Sequence, residues 1–400
     1  MTKRTNAGEQ GDDCDTTTMT DFPRPRITGL SILAIGLAIF ALSLIWRPLL
    51  VVVAAALAVV VPYSFRENDC AESRRRQWSE FLSRTDLPDL LRCPDVEIEE
   101  GYWTNDRGMA LMTSTMTPKN GAEIRAVVCL CHGYMDNASF LKRVQFQRFV
   151  REGIAVVTIE YEGHGRSDGS NALVSKWEDL VGDAHKYFSQ LTRRQFPDKK
   201  TFLMGESMGG AVVYDIMSSV ERRGAYDGVI FVAPMVKILV APPQWVVDVF
   251  ERVVGHPGTL NFLSTMPWAP SRGDMPHLSF KDKDKMRLAL SVPTRYGRKP
   301  RLATARELLN ATKRISSTIR EFDAPFIVLH GLEDYVTDPR MSEMLYNESP
   351  SLDKTIKLYE GMYHNLTTGE TDENIDMVFG DAISWVSERC DVRRRSNRRR

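Results

Sequence analysis

Little in this 400-residue chain points to a disulfide scaffold, a metal centre or a nucleotide fold. Its six cysteines are scattered, with Cys129 and Cys131 alternating along one predicted strand. That pattern gives neither a disulfide framework nor a zinc spacing, so a reducing compartment is expected. No cluster of ligating side chains appears. The conspicuous run Gly163 to Gly169 lacks the third glycine of a dinucleotide fingerprint, so no cofactor is implied. Net charge is also lacking, since 52 basic residues balance 52 acidic ones. The last ten residues hold six Arg and one Asp, leaving 46 basic against 51 acidic residues in the body, which argues against a nucleic-acid partner. No internal repeat is found. Charged residues at 26% beside 43% hydrophobic ones fit a folded globular chain and neither a disordered nor a multi-span membrane protein.

What the chain does have near its start is apolar. Residues 27–46 form an uncharged run of 20 residues, about 30 Å as a helix and so long enough to cross a bilayer. After Arg47-Pro48 a second run, 49–63, has 15 residues, and the pair is expected as a helical hairpin over 27–65, with a single signal anchor as the alternative. Lys3, Arg4, Arg24 and Arg26 precede it, and Arg66, Arg74, Arg75 and Arg76 follow it, so both flanks, and with them the long remainder of the chain, are expected in the cytosol. The bilayer is therefore an expected partner, the endoplasmic reticulum being one membrane that fits. Residues 1–26 read as a disordered tail, 66–96 as a linker or amphipathic segment, and 390–400 as an Arg-rich solvated end.

From Glu97 to about residue 389, short β-branched runs alternate with longer amphipathic ones, the pattern of helices covering a mostly parallel sheet. The runs 126–130, 154–159, 201–204, 229–232, 326–329 and 355–359 are expected as buried strands, each followed by a loop rich in Gly, His, Asp or Ser. Such loops carry the chemistry of open α/β sheets. About ninety residues separate the fourth run from the fifth, too many for one crossover, so a helical cap is expected over about 235–320. Its apolar set, with Trp245 and Phe250, either lines a substrate pocket or forms the cap's own core.

Gly205-Glu206-Ser207-Met208-Gly209 is a G-x-S-x-G element between a strand and an apolar helix, the context of a nucleophile elbow. A serine hydroxyl needs a base to take its proton and an acid to orient that base. Asp334 and His364 follow later strands in the order Ser, Asp, His. Asp338 is the rival acid, but before Pro339 it reads as a helix N-cap. His330 reads as structural, and His185, His256 and His277 follow no late core strand. Acyl transfer also needs backbone donors for the developing oxyanion. Met208, after the nucleophile, and Tyr134, after His132-Gly133, are the candidates. The His164 loop reads as a brace for its neighbours.

These ordered motifs, together with Ala233-Pro234-Met235, Val336-Thr337-Asp338-Pro339 and Gly361-Met362-Tyr363-His364, resemble monoacylglycerol lipases of the α/β-hydrolase superfamily, and within them the plant-type branch with caffeoylshikimate esterases. The resemblance covers Glu97 to Trp385. It implies an α/β-hydrolase fold, Ser207, Asp334 and His364 as triad, Tyr134 and Met208 as oxyanion amides, and a mobile hydrophobic cap over the site, of which Trp245 and Phe250 remain the substrate-binding candidates read from the residues. Glu206 stands where many animal members carry His, as in the plant-type branch. The expectation is a carboxylic ester hydrolase cleaving monoacylglycerols or lysophospholipids. Hydrolysis of hydroxycinnamoyl esters and acyl transfer to an alcohol are the same-chemistry alternatives, and a non-enzymatic membrane scaffold is the rival of another class.

Overall fold

The computed structural model describes residues 70–84, 91–237, 264–270 and 275–397. The expected membrane runs at 27–46 and 49–63 lie outside these residues, as do Trp245, Phe250 and most of the first part of the expected cap. Among the described residues no helix is long and apolar enough to cross a membrane.

Among those residues, one sheet is built from β1 Val96–Thr104, β2 Ala110–Pro118, β3 Ala126–Cys131, β4 Ile154–Ile159, β5 Lys200–Glu206, β6 Gly228–Val232, β7 Phe326–Gly331 and β8 Lys354–Tyr359. Their order is β1-β2-β4-β3-β5-β6-β7-β8. Pairing is parallel from β4 across to β8, whereas β2 runs antiparallel to β1 and to β4. All six runs expected as strands lie in the parallel part. β1 and β2 are additional. β1 pairs only with β2 and is mostly exposed, so it needs no continuous apolar run.

Among the described residues the α-helices are α1 Ala71–Leu82, α2 Leu141–Gln145, α3 Gln147–Arg151, α4 Trp177–Gln195, α5 Met208–Ser218, α6 Val220–Arg223, α7 Met275–Ser279, α8 Lys283–Ser291, α9 Leu302–Thr318, α10 Pro339–Glu348 and α11 Asp372–Asn397. Side-chain alternation in β3 feeds two cores. Val127, Cys129 and Cys131 join one with α4, α5 and α9, while Ala126, Val128 and Leu130 join the other with α3 and α11. The chain leaves β3 for β4 on one side and returns on the other side as β5. The carboxyl ends of β3 and β5 therefore form the switch point at which such sheets carry ligands and chemistry.

Two helices reach outside 97–389. Within 66–96, α1 is a docked helix: Trp78 and Phe81 are buried, and their rings lie 6.4 and 5.4 Å from that of Phe140. At the other end, α11 runs on to Asn397, so the Arg-rich end starts as helix.

Candidate active site

Between β5 and α5 stands Ser207, with φ 53° and ψ −116°. A non-glycine residue held there stores backbone strain of order 1–3 kcal/mol, the mark of a sharp strand-to-helix turn. The surrounding structure holds it in place. Ser207 N donates to Val232 O at 3.0 Å, and Ser207 O accepts from Met235 N and Gly210 N, both at 2.9 Å. The flanking glycines are steric requirements, since a Cβ on Gly205 would overlap the Gly209 carbonyl and one on Gly209 would overlap the Cys131 carbonyl.

The loop after β3 comes up against this turn. A Cβ placed on Gly133 would lie 3.4 Å from Ser207 Cβ, so the chain passes the nucleophile candidate just before Tyr134. Met135, next along, has φ 59°. Met208 opens α5, where first-turn N–H groups lack an intrahelical acceptor. The Tyr134 hydroxyl donates to Ala172 O at 2.9 Å, which ties the ring to the neighbouring loop.

His132 and His164 brace this loop. His132 Nδ1 donates to Gly133 O at 2.8 Å and Nε2 accepts from Tyr161 N at 3.3 Å, one tautomer serving both bonds. Its ring lies 4.2 Å from Tyr161 and 5.5 Å from His164. Burial lowers the pKa of His132 and pushes that of His164 down to about 3. Ser167 Oγ donates to Glu160 O at 2.6 Å and accepts from Met112 N at 2.8 Å, so the glycine-rich loop is a brace as expected.

At the ends of β7 and β8 the expected acid and base meet. His364 Nδ1 lies 2.6 Å from Asp334 Oδ2. Asp334 Oδ1 accepts from Val336 N and Thr337 N at 2.7 and 2.9 Å, and Oδ2 from Thr337 Oγ1 at 2.8 Å. Burial opposes ionisation of this carboxyl, yet His364 and His330 beside it hold it well below the usual carboxylate range. Asp338 is the N-cap of α10, accepting from Arg340 N at 2.9 Å with Pro339 in the first turn. The hydrogen bond and charge of Arg340 lower its pKa. It is thus engaged away from His364. His185 lies in α4 and His277 in α7, while His256 lies outside the described residues.

Residues 122–372 match the family described as serine aminopeptidase, S33, a span that contains every one of these site residues. The chain belongs to this hydrolase family. The caffeoylshikimate esterase of Arabidopsis thaliana is 32% identical to it over 295 residues, 74% of this chain and 86% of the plant protein. The monoglyceride lipase of Rattus norvegicus is 30% identical over 328 residues, 80% of this chain and 96% of the rat protein. A solved structure of a soluble variant of the Saccharomyces cerevisiae monoglyceride lipase, in complex with a substrate analogue, superposes with a TM-score of 0.62 at 21% identity. It covers 72% of this chain and 95% of the yeast chain, and it bears out the α/β-hydrolase fold.

Several polar groups of this S33-family hydrolase site escaped the sequence reading. Thr337 Oγ1 sits 3.2 Å from His364 Nδ1 and donates to Asp334, making it a third member of the acid-base contact. His330, read as structural, donates from Nε2 to Asp334 Oδ2 at 3.0 Å while Nδ1 accepts from Ser342 Oγ at 2.7 Å. Its spacing of four residues from Asp334 was the available signal. Arg74 of α1 gave none. It is 1% exposed and donates to the carbonyls of Gly165, Ser167 and Gly169 at 2.9, 2.5 and 3.0 Å, more than ninety residues away.

Proposed function

We propose that this protein is a membrane-anchored serine hydrolase that cleaves acyl esters of glycerol, chiefly monoacylglycerols, through an acyl-enzyme. The observation that carries the reading is the buried Asp334–His364 pair, 2.6 Å apart, in a sheet whose β5 leads directly into the strained Ser207. In this mechanism His364 Nε2 takes the proton of Ser207 Oγ as the oxygen attacks the ester carbonyl. Asp334, holding Nδ1–H, fixes the tautomer and stabilises the imidazolium. The N–H groups of Tyr134 and Met208 receive the developing oxyanion, each such donor being worth about 10²–10³ in kcat. His364 then protonates the departing glycerol oxygen. Water, deprotonated by the same imidazole, attacks the acyl-enzyme, and collapse of that intermediate frees the fatty acid and Ser207.

The relatives named as monoglyceride lipases support the glycerol ester. The run 27–46 supports the anchor, because a substrate dissolved in a bilayer is concentrated where its enzyme is held. Trp245 and Phe250 of the cap supply an apolar wall for the chain in this reading. Basic residues flanking the apolar runs, and the N-x-[ST] acceptors Asn137, Asn310, Asn347 and Asn365 in the hydrolase domain, support a cytosolic face, where no glycan would crowd the site. The 32% identity to a caffeoylshikimate esterase favours a second reading, hydrolysis of hydroxycinnamoyl esters by the same triad. Turnover of oleoylglycerol beside caffeoylshikimate by the purified full-length protein decides between them. Preference for oleoylglycerol is expected, and a higher kcat/KM on caffeoylshikimate would replace the lipid reading with the aromatic one.

A further inference from the structure

The carboxylate next to the nucleophile takes part in no step of the mechanism above. Glu206 is 8% exposed and its Oε1 accepts from Thr367 Oγ1 at 2.5 Å. Its other oxygen is ion-paired with Nζ of Lys142, a lysine only 3% exposed at the start of α2. The same Nζ lies 2.8 Å from Asp136 Oδ2. Burial opposes the charge on Lys142, but Asp136 and Glu206 together hold it as a cation.

The positions of these residues give the cluster its meaning. Glu206 immediately precedes Ser207, Asp136 follows Tyr134 by two residues, and Thr367 follows His364 by three. One carboxylate therefore joins three loops, each of which supplies a different part of the reaction. Stability alone does not account for such a cluster, because well-packed apolar residues usually serve as well as a buried ion pair or better. An ion pair and a hydroxyl bond are directional, however, and a displacement of about 1 Å in an active site can cost about 10²-fold in rate.

We propose that Glu206 is a positioning residue: through Lys142 and Thr367 it holds the oxyanion loop and the His364 loop in register with Ser207. The proposal deepens the ester-hydrolase reading and rests on it. It predicts that disturbing the cluster lowers kcat per working site and leaves KM alone, since no member is asked to bind the acyl chain. A role confined to folding would instead lower the melting temperature and the number of working sites, with kcat per site unchanged.

The test compares full-length wild type with Glu206→Gln, Thr367→Val and Thr367→Ser. Active sites are counted by labelling to completion with a fluorophosphonate, and kcat and KM are measured on a short soluble ester. We expect kcat per labelled site to fall at least tenfold in Glu206→Gln and Thr367→Val, with KM within twofold, and Thr367→Ser to restore it. In the double variant the losses should combine to less than their product, because both act through one carboxylate. Wild-type kcat per site in both single variants, whatever their melting temperatures, would overturn the proposal. Should Glu206→Gln fail to fold, the Thr367 pair decides alone, since it removes and returns a single hydroxyl. A wild-type protein that takes no label at Ser207 would instead overturn the hydrolase reading, and this proposal with it.

Discussion

Asp334 Oδ2 lies 2.6 Å from His364 Nδ1 and also accepts from Thr337 Oγ1 and His330 Nε2, while Oδ1 takes two backbone N–H groups. A carboxylate so fully engaged has one orientation and stays ionised, which lets it fix the imidazole it faces.

Asp334→Asn should therefore lower kcat by about 10⁴-fold, because an amide in that place favours the wrong imidazole tautomer. Asp338→Ala should leave kcat unchanged and cost about 1 kcal/mol of stability through loss of an N-cap. Steady-state kinetics beside urea denaturation of the two variants checks this, and the opposite pattern would exchange the roles of the two acids.

Stability should fall with acid below neutrality. Burial lowers the folded-state pKa of His132 and His164, so below about pH 6.5 the unfolded chain binds protons that the folded chain excludes. Each ring then removes up to about 1.4 kcal/mol per pH unit, for His164 down to about pH 3. Asp334 acts in the same direction at lower pH. Its contribution is present above the ordinary carboxylate pKa of about 4 and is lost as pH falls through its depressed folded value. Urea midpoints at pH 7, 6 and 5 should decline, and His164→Phe should flatten the decline. An unchanged slope in that variant would mean that His164 does not contribute to the acid sensitivity.

Arg74→Met keeps the buried stem but leaves three loop carbonyls without their shared donor. Unsatisfied buried polar groups cost about 1–3 kcal/mol each, so a loss of about 3 kcal/mol and a melting temperature lower by several degrees are expected. A shift of under one degree on calorimetry would mean that α1 merely rests on the domain.

The legible parts of this molecule are those in which local chemistry and fold coincide. A parallel strand buried on both faces reads as an apolar run, and the loops after β5, β7 and β8 display Ser207, Asp334 and His364 because such sheets place chemistry there. β1 was illegible for the converse reason: among the described residues it pairs only with β2 and is mostly exposed, so its sequence is polar. Lys142 and Arg74 were illegible because burial of each cation depends on partners far along the chain, Glu206 beside the nearby Asp136 for one and the carbonyls near Gly165 for the other. Asp338 was separable from Asp334 because its capping role follows from Pro339, a purely local feature.

Everything proposed for the reaction depends on Ser207 being the nucleophile of an ester hydrolase. The most direct test of that role is the initial rate of fatty-acid release from oleoylglycerol by full-length wild type and by Ser207→Ala at equal concentrations of folded protein. Release by wild type and a loss of about 10⁴-fold or more in the variant are expected, with the circular dichroism spectrum and melting temperature preserved. A Ser207→Ala protein that retains its rate within tenfold would contradict that role.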